Sequence, residues 1–126
     1  MSNYTIFSSG SSPFVSFRWY DVTGGSANLA AESGYIADSA GLTTFTLPTN
    51  NKIGDTIIIV GKGTGGWEVV YGAGQYIIFG IGSSTPTTGN IASSNDTDCV
   101  TMVCTTASAT APIFTVINNV GNISIT

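Results

Sequence analysis

The strongest constraint on the fold is a series of short apolar and β-branched segments that turn residues interrupt at close intervals. The segment 42–47 alternates apolar and polar residues, and Pro48 ends it. The segment 55–61 holds four consecutive β-branched residues, from Ile57 to Val60. Alternation with a period of two is typical of a half-buried strand, and a continuous apolar run is typical of a strand buried on both faces. The periodicity therefore predicts strands, with 55–61 as a central strand.

The same patterns predict further strands, separated by Gly and Asn residues that tolerate positive φ. The predicted strands cover residues 14–20, 27–30, 35–37, 42–47, 55–61, 67–71, 75–79, 98–104, 112–118 and 122–125. Short strands joined by such turns are typical of sandwiches and barrels. The sequence therefore predicts an all-β fold, an antiparallel β-sandwich or a barrel-like domain.

The chain length of 126 residues suits one domain. Residues 1–12 are rich in Ser and are expected to be a flexible lead-in, which leaves 13–126 as a single β-rich domain. The lead-in has neither a basic end nor an apolar segment, so no signal peptide is predicted. No apolar run approaches the roughly 18 residues that a membrane-spanning helix needs, so no membrane insertion is predicted.

Charged residues make up only 8% of the chain, whereas about a quarter is usual for a globular domain. The surface must therefore consist mainly of neutral hydroxyl, amide and glycine groups, as on many extracellular β-rich proteins. The three basic residues, Arg18, Lys52 and Lys62, are scattered along the chain. Because binding to phosphates requires clustered Lys and Arg, nucleic acid is not an expected partner.

The chain contains no histidine, which removes the usual Ser-His-Asp and Cys-His nucleophiles and the usual zinc sites. A glycan hydrolase needs only two carboxylates at a suitable separation. Of the seven Asp and Glu residues, six are candidates, but none lies in a recognisable motif: Glu32, Asp38, Asp55, Glu68, Asp96 and Asp98. We therefore predict no enzyme activity and no cofactor, and a carboxylate-based glycan hydrolase is the remaining alternative.

Two loops match ligand-binding motifs only in part. Residues 61–66 read Gly-Lys-Gly-Thr-Gly-Gly, but the spacing is not that of a phosphate loop and a strand follows, so a hairpin turn between 55–61 and 67–71 is predicted. Asp96 and Asp98 match the first and third positions of a calcium loop, but the later ligands are absent. An Asx turn that opens the strand at 98 is the favoured interpretation. No metal site is predicted beyond this candidate pair.

Aromatic side chains are the remaining candidates for a binding site, because sugar rings stack on Trp and Tyr faces while Asn, Asp and Thr side chains bind their hydroxyls. Trp67, Tyr71 and Tyr76 lie on neighbouring predicted strands close to Asn-rich and Gly-rich loops. These three are the predicted ligand-binding residues. The alternative is that their rings form core or cross-strand contacts, which is the usual role of aromatic residues in β proteins.

The two cysteines, Cys99 and Cys104, lie five positions apart in one predicted strand. An odd offset puts them on opposite faces, with Cα atoms roughly 16 Å apart in an extended chain, so they cannot form a disulfide with each other. The favoured interpretation is that both are buried thiols that serve as small apolar residues. The alternative is a disulfide between neighbouring subunits.

Several short motifs follow one another in a characteristic order. They read SGYIAD at 33–38, LTTFTLP at 42–48, IGD at 53–55, GGW at 65–67, GQ at 74–75 and GN at 121–122. In order and spacing they resemble a domain of bacteriophage tail-fibre and related appendage proteins. The likeness covers roughly residues 33–126.

The resemblance implies a β-structured module of a viral tail fibre or similar surface appendage, located on a virion or an extracellular appendage and assembled as a homotrimer. It implies no catalytic residues. Two functions remain open at this point. The module either binds a receptor, such as a host surface polysaccharide, through aromatic and Asn-rich loops, or is a non-binding spacer or trimerisation domain.

Overall fold

The computed structural model describes residues 16–126, which contain twelve β-strands and no helix. The strands are β1 (Arg18–Val22), β2 (Ser26–Asn28), β3 (Ser33–Ala37), β4 (Thr43–Thr46), β5 (Thr56–Gly61), β6 (Trp67–Val70), β7 (Ile77–Phe79), β8 (Gly82–Ser83), β9 (Ile91–Ser93), β10 (Cys99–Thr106), β11 (Ile113–Val120) and β12 (Ile123–Ile125). The predicted all-β class is confirmed. The predicted lead-in, 1–12, lies outside the described residues.

The strands form two mixed sheets. The order in the seven-stranded sheet is β1-β3-β5-β10-β11-β7-β8, and the order in the five-stranded sheet is β12-β9-β6-β4-β2. One hydrophobic cluster draws buried residues from both sheets, among them Tyr35 and Ile59 from the larger sheet and Phe45 and Val69 from the smaller. This arrangement is sandwich-like, since each sheet is covered by the other on its inner face.

The first six strands alternate between the two sheets. β1, β3 and β5 are parallel neighbours in the larger sheet, and β2, β4 and β6 are parallel neighbours in the smaller one. A parallel pair needs a long crossover connection, and here each crossover includes a strand of the opposite sheet. The first half of the domain therefore coils as a stack of three rungs, in the manner of a short parallel β-solenoid. We call this coil the stack.

The predicted antiparallel fold is wrong for this half of the chain. Antiparallel pairing joins β10 to β5 and to β11, β9 to β6 and to β12, and β7 to β8. The predicted hairpin through residues 61–66 is also wrong, because β5 and β6 lie in different sheets. These residues instead form a crossover that packs on the previous one. A Cβ atom at Gly63 would overlap the backbone of Ser39, and one at Gly65 would overlap the backbone of Gly41.

The central strand prediction is corrected in one respect. In β5 the burial alternates, with Ile57 and Ile59 fully buried and Ile58 and Val60 only partly buried. The strand lies between β3 and β10. The β-branched run therefore marks an interior strand with one core face and one outer face, not a strand buried on both faces.

A buried amide joins the three loops that follow β4, β6 and β10. The Gln75 side chain is fully buried, and its Nε2 donates to the carbonyls of Pro48 at 3.1 Å and Pro112 at 3.2 Å. Its Oε1 accepts the Gly72 N–H at 3.0 Å. All of its polar groups that lie in the core are therefore bonded, which buried amides require. This contact gives a structural reason for the GQ pair of the sequence.

Candidate functional site

The most distinctive feature of the fold is that the stack has an open end. β1 is an edge strand of the larger sheet, and β2 is an edge strand of the smaller. On β1, Arg18 and Val22 bond to the backbone at the two ends of β3. Because the direction of N–H and C=O groups alternates along a strand, Trp19 and Asp21 direct theirs away from β3. These main-chain groups face the open end.

The same alternation applies to β2. Gly25 accepts the Thr44 N–H at 2.9 Å, and Leu29 donates to the Thr46 carbonyl at 2.9 Å. The N–H and C=O groups of Ser26, in between, therefore point away from β4. Two parallel strand edges, one from each sheet, thus present hydrogen-bonding groups in the same direction, and the described part of the chain offers them no partner strand.

Inward-facing side chains form an apolar floor between the two open edges. Tyr20, Val22 and Ala27 occupy the positions that are buried in the next rung, but no further rung within residues 16–126 covers them. Tyr20 is 44% exposed, whereas its register partner Tyr35 is 4% exposed. The rings stack with centroids 5.4 Å apart. A shallow cavity of about 440 Å³ lies above this floor.

A second aromatic side chain of β1 lies on the outer face of the sheet. A Cβ atom built on Gly34 would come within 2.5 Å of the Trp19 ring, which shows that the indole lies directly over that glycine. Trp19 is 53% exposed and contacts Phe17 at a centroid distance of 5.8 Å. The ring thus rests on the backbone and remains accessible to solvent.

A small charged cluster lies near Trp19, at the end of β1. Lys62 Nζ donates to Asp38 Oδ2 at 3.2 Å. The hydrogen bond from Lys62 is the main cause that lowers the pKa of the Asp38 carboxyl, and a hydrogen bond with Asp21 lowers it further. The same contact with Asp38 raises the pKa of the Asp21 carboxyl. The hydrogen bond with Asp38 raises the pKa of the Lys62 amine. The cluster offers donors and acceptors within reach of one ligand.

The predicted ligand-binding residue Trp67 lies in the core. It has no exposed surface, and its indole N–H donates to the Asp98 carbonyl at 2.9 Å. Its backbone N–H donates to Ser93 Oγ at 3.0 Å. The interpretation as a core aromatic therefore applies, because a sugar cannot stack on a ring that the protein encloses on all sides.

The other two predicted ligand-binding residues differ from each other in burial. Tyr71 is buried. Its hydroxyl oxygen lies 2.5 Å from Ser84 Oγ, and the hydroxyl donates to the Thr85 carbonyl at 2.9 Å. Burial raises its pKa. Tyr76 is partly exposed. It precedes β7, which belongs to the larger sheet, whereas β6 belongs to the smaller. The structure does not bring the three aromatic rings into one accessible site, and sugar contact by Tyr76 stays a prediction.

The two candidate metal ligands, Asp96 and Asp98, also differ in burial. Asp96 is exposed, whereas Asp98 is buried, and Asp98 Oδ2 accepts the N–H groups of Ser94 at 2.9 Å and Asn95 at 3.0 Å. Its bonds run backwards along the chain, so it closes the preceding turn instead of forming the expected Asx turn. Within residues 16–126, no three carboxylate or thiol side chains gather in a group that could hold a metal ion.

The two cysteines lie on opposite faces of β10, as their spacing predicts. Cys104 is fully buried, and burial, followed by the charge of Asp55, raises the pKa of its thiol. Cys99 is partly exposed on the outer face of the larger sheet. Both thiols are free in the chain. Only one of the two therefore fits the interpretation as a buried apolar residue.

Comparison with known proteins adds no relative. No family model matches the sequence, and no curated protein matches it either. No helix in the described part of the chain is long and apolar enough to cross a membrane.

The open end was not predicted from the sequence. Tyr20 and Trp19 lie in an aromatic segment that predicts a strand, and nothing in that segment marks it as the edge of a sheet. Edge position depends on which strands pair, and pairing between distant segments is not encoded in local periodicity.

Proposed function

We propose that this chain is a structural module of a β-rich surface fibre, such as a phage tail fibre, and that its open end joins the next β-structured part of that fibre. The observation that carries the proposal is the pair of parallel edges, β1 and β2, which no strand within residues 16–126 pairs with on their outer side, on either side of an apolar floor that those residues leave uncovered. In this proposal the module belongs to a virion or another extracellular appendage, assembles as a homotrimer, and acts without enzyme activity or cofactor.

The chemistry of the open end favours a polypeptide strand as its partner. A row of alternating N–H and C=O groups is matched by another β-strand, which pairs at about 4.8 Å. Two such rows, one in each sheet, require a partner with two strands at the same separation as the two sheets. A further rung of a β-stacked fibre has that geometry.

The sheet edges opposite to β1 and β2 also favour the open end as the joining surface. In the larger sheet, the edge strand β8 has two residues, whereas β1 has five, and short edge strands discourage pairing with other chains. The Thr126 carbonyl also accepts the Thr85 N–H at 3.0 Å. The open end is therefore the surface at which a fibre can continue.

The proposal is tested by blocking the open end. Ala27→Lys puts a charge on the apolar floor, and Ser26→Pro removes an unpaired N–H at the first residue of β2, where proline is tolerated. Ile81→Lys is the matched control, because Ile81 is fully exposed in the β7–β8 turn. Light scattering over a range of concentrations and electron microscopy follow end-to-end association. We expect association in the native chain and the control, and its loss in both blocked variants. Identical behaviour of all four proteins would contradict the proposal.

Receptor binding is a second candidate function, and the Trp19 ring supports it. An indole that lies on a glycine and is exposed above provides a stacking platform, and the Asp21, Asp38 and Lys62 side chains near the end of β1 match the hydroxyl groups of a sugar. In this proposal the ligand is a host surface polysaccharide.

Glycan binding is tested by titrating purified bacterial surface polysaccharides into the chain by calorimetry. We expect saturable binding that Trp19→Ala abolishes and Trp19→Phe weakens, with an unchanged circular dichroism spectrum. Tyr76→Ala is the comparison, because Tyr76 is the accessible residue of the three predicted from sequence. Loss of binding in Tyr76→Ala with full binding in Trp19→Ala would locate the site at Tyr76, and no binding in any titration would leave the spacer function.

A further inference from the structure

The outward main-chain groups of β1 define how a partner strand pairs with this edge. Trp19 and Asp21 direct their N–H and C=O groups away from β3. In a parallel ladder, each such residue bonds to the two partner residues that flank its own level. A parallel strand here therefore bonds through its residues beside Arg18, Tyr20 and Val22. Because β1, β3 and β5 are already parallel neighbours, such a strand continues the direction of the stack.

The inward side chains of β1 set an apolar requirement at two levels of the partner strand. Tyr20 and Val22 line the cavity of about 440 Å³, together with Ala27 and Tyr35. Residues directly opposite each other in a ladder have their side chains on the same face of the sheet. The partner side chains beside Tyr20 and Val22 therefore enter this cavity. Apolar side chains fit there, because burial of a polar group without a hydrogen-bond partner is costly.

Two charged side chains of β1 set a second requirement. Arg18 lies at the first residue of the strand and Asp21 near its end, and both are exposed. Within residues 16–126 neither forms a salt bridge, since the ion pair of this region joins Lys62 to Asp38 at 3.2 Å. Opposite charges directly across two strands are favourable, and like charges are unfavourable. An acidic partner residue therefore suits the level of Arg18, and a basic one suits the level of Asp21.

The neighbouring carboxyl of Asp38 strengthens the requirement for a basic residue. Its hydrogen bond with Asp21 raises the pKa of the Asp21 carboxyl. A positive charge on the open side of Asp21 favours the ionised form of that carboxyl. The chain as a whole carries a net charge of −4, which also favours the approach of a basic group to this edge.

We propose that the β1 edge accepts a parallel strand with an acidic residue beside Arg18, a basic residue beside Asp21, and apolar residues beside Tyr20 and Val22. The inference rests on the proposed function, in which the open end joins another β-structured segment, and it names the side-chain chemistry of that segment. The main chain supplies the pairing, the cavity selects the face, and the two charges select the register and direction.

The first experiment uses two synthetic peptides as probes of the full chain. The matched peptide is acetyl-Glu-Thr-Val-Lys-Val-Thr-amide, and the control is acetyl-Lys-Thr-Val-Glu-Val-Thr-amide, which has the same composition and net charge. Nuclear magnetic resonance follows the hydrogen exchange of the Trp19 and Asp21 amides during each titration, with the Ile81 amide as a remote reference. We expect the matched peptide to protect the first two amides and to bind about tenfold more tightly than the control.

Salt separates the charge requirement from main-chain pairing. At about 1 M salt the Debye length is about 3 Å, and interactions between exposed charges are largely screened. We expect the two peptides to bind with equal affinity at that salt concentration and still to protect the Trp19 and Asp21 amides. A preference that stays unchanged in high salt would contradict charge as its cause.

The second experiment reverses the two charges on the protein. The double variant Arg18→Glu with Asp21→Lys changes only exposed side chains, and its circular dichroism spectrum and melting temperature verify the fold. We expect it to prefer the control peptide over the matched one. Ile81→Lys is the comparison, because it adds a charge at an exposed turn and should keep the native preference. A double variant that folds and still prefers the matched peptide would overturn the inference.

The inference and the proposed function fail separately. Equal binding of both peptides at low salt, with protection of the Trp19 and Asp21 amides, rejects the charge requirement and keeps β1 as a strand-binding edge. Protection of these amides before any peptide is added shows that the edge is already paired, by residues 1–15 or by another copy, and also overturns the inference. The proposed fibre role is tested independently by the effect of Ala27→Lys on end-to-end association.

Discussion

At the scale of single residues, position in the stack decides what an aromatic side chain does. Tyr20 and Tyr35 are register partners on parallel strands and both face inward. Tyr35 is enclosed. Its ring centroid lies 5.7 Å from that of Phe45, and the Tyr35 hydroxyl accepts the Ala30 N–H at 2.8 Å. Tyr20 lies one rung further out and remains accessible. The same residue type thus serves as core in one rung and as surface in the next.

Residue-scale electrostatics give a pH-dependent prediction for Asp21→Asn. In the folded protein the pKa of Asp21 is raised and that of Asp38 is lowered. The stabilising contribution of Asp21 is full below its unfolded pKa and is lost as pH rises through its folded pKa, because Asp38 then repels it. Asparagine keeps a donor toward Asp38 and carries no charge. We therefore expect a higher melting temperature than the native chain near neutral pH.

Thermal unfolding at two pH values measures this effect. At a pH below the raised folded pKa of Asp21, where that carboxyl is protonated and donates to Asp38 as asparagine does, the melting temperatures of Asp21→Asn and the native chain should coincide. Asp38→Asn is the matched control, and its effect on the melting temperature near neutral pH should be opposite in sign. The stabilising contribution of Asp38 is present above its unfolded pKa and is lost as pH falls through its folded pKa. A stabilising effect of Asp21→Asn that persists at low pH would show that repulsion is not its cause.

At the scale of elements, the crossovers matter as much as the strands. The β3–β4 and β5–β6 connections stack on each other, and the Gly63 and Gly65 N–H groups donate to the Ala37 carbonyl at 2.8 Å and the Ser39 carbonyl at 3.0 Å, respectively. The glycine-rich sequence at 61–66 thus serves close backbone packing between rungs. Its likeness to a phosphate loop is a consequence of that packing requirement.

Substitution of Gly65 tests the packing of the crossovers. Gly65→Ala would drive a Cβ atom into the Gly41 backbone, and relief of such an overlap costs about 1–3 kcal/mol of unfolding free energy. Gly24→Ala is the control, because a Cβ atom there meets no atom within 4 Å and should change stability by less than about 0.5 kcal/mol. Urea unfolding measures both. Equal stability of the two variants would show that the crossovers can separate without cost.

At the scale of the whole molecule, most strand pairs join segments that are distant in sequence. Arg18 pairs with Ser33 across the first rung, and Val60 pairs with Cys99. Only β7–β8 and β10–β11 pair consecutive strands. Non-local pairing requires loop closure before contacts form, so the topology predicts slow folding.

We expect the chain to refold in milliseconds to seconds after dilution from urea. Stopped-flow fluorescence at low protein concentration measures this rate, with burial of Trp67 as the main signal. Trp19→Phe is the control that assigns the signal, because Trp19 is exposed in the folded state. Complete refolding within microseconds would contradict the topology as the rate-limiting feature.

The sequence by itself determined the secondary structure and the facing of individual residues. A period of two reports which residues share one face of a strand, so β4, β10 and the opposite orientations of Cys99 and Cys104 follow from local pattern. Strands β8 and β9 were not predicted, since β8 is a Gly-Ser pair and β9 holds only one large apolar residue, Ile91.

Only the tertiary structure decided which strands are neighbours. Alternation does not distinguish a hairpin from a crossover, so parallel pairing in the stack, burial of Trp67 and exposure of Tyr20 depend on contacts between distant segments. The open end exists for the same reason. It is defined by side chains and main-chain groups that several strands bring together, and local sequence carries information on one strand at a time.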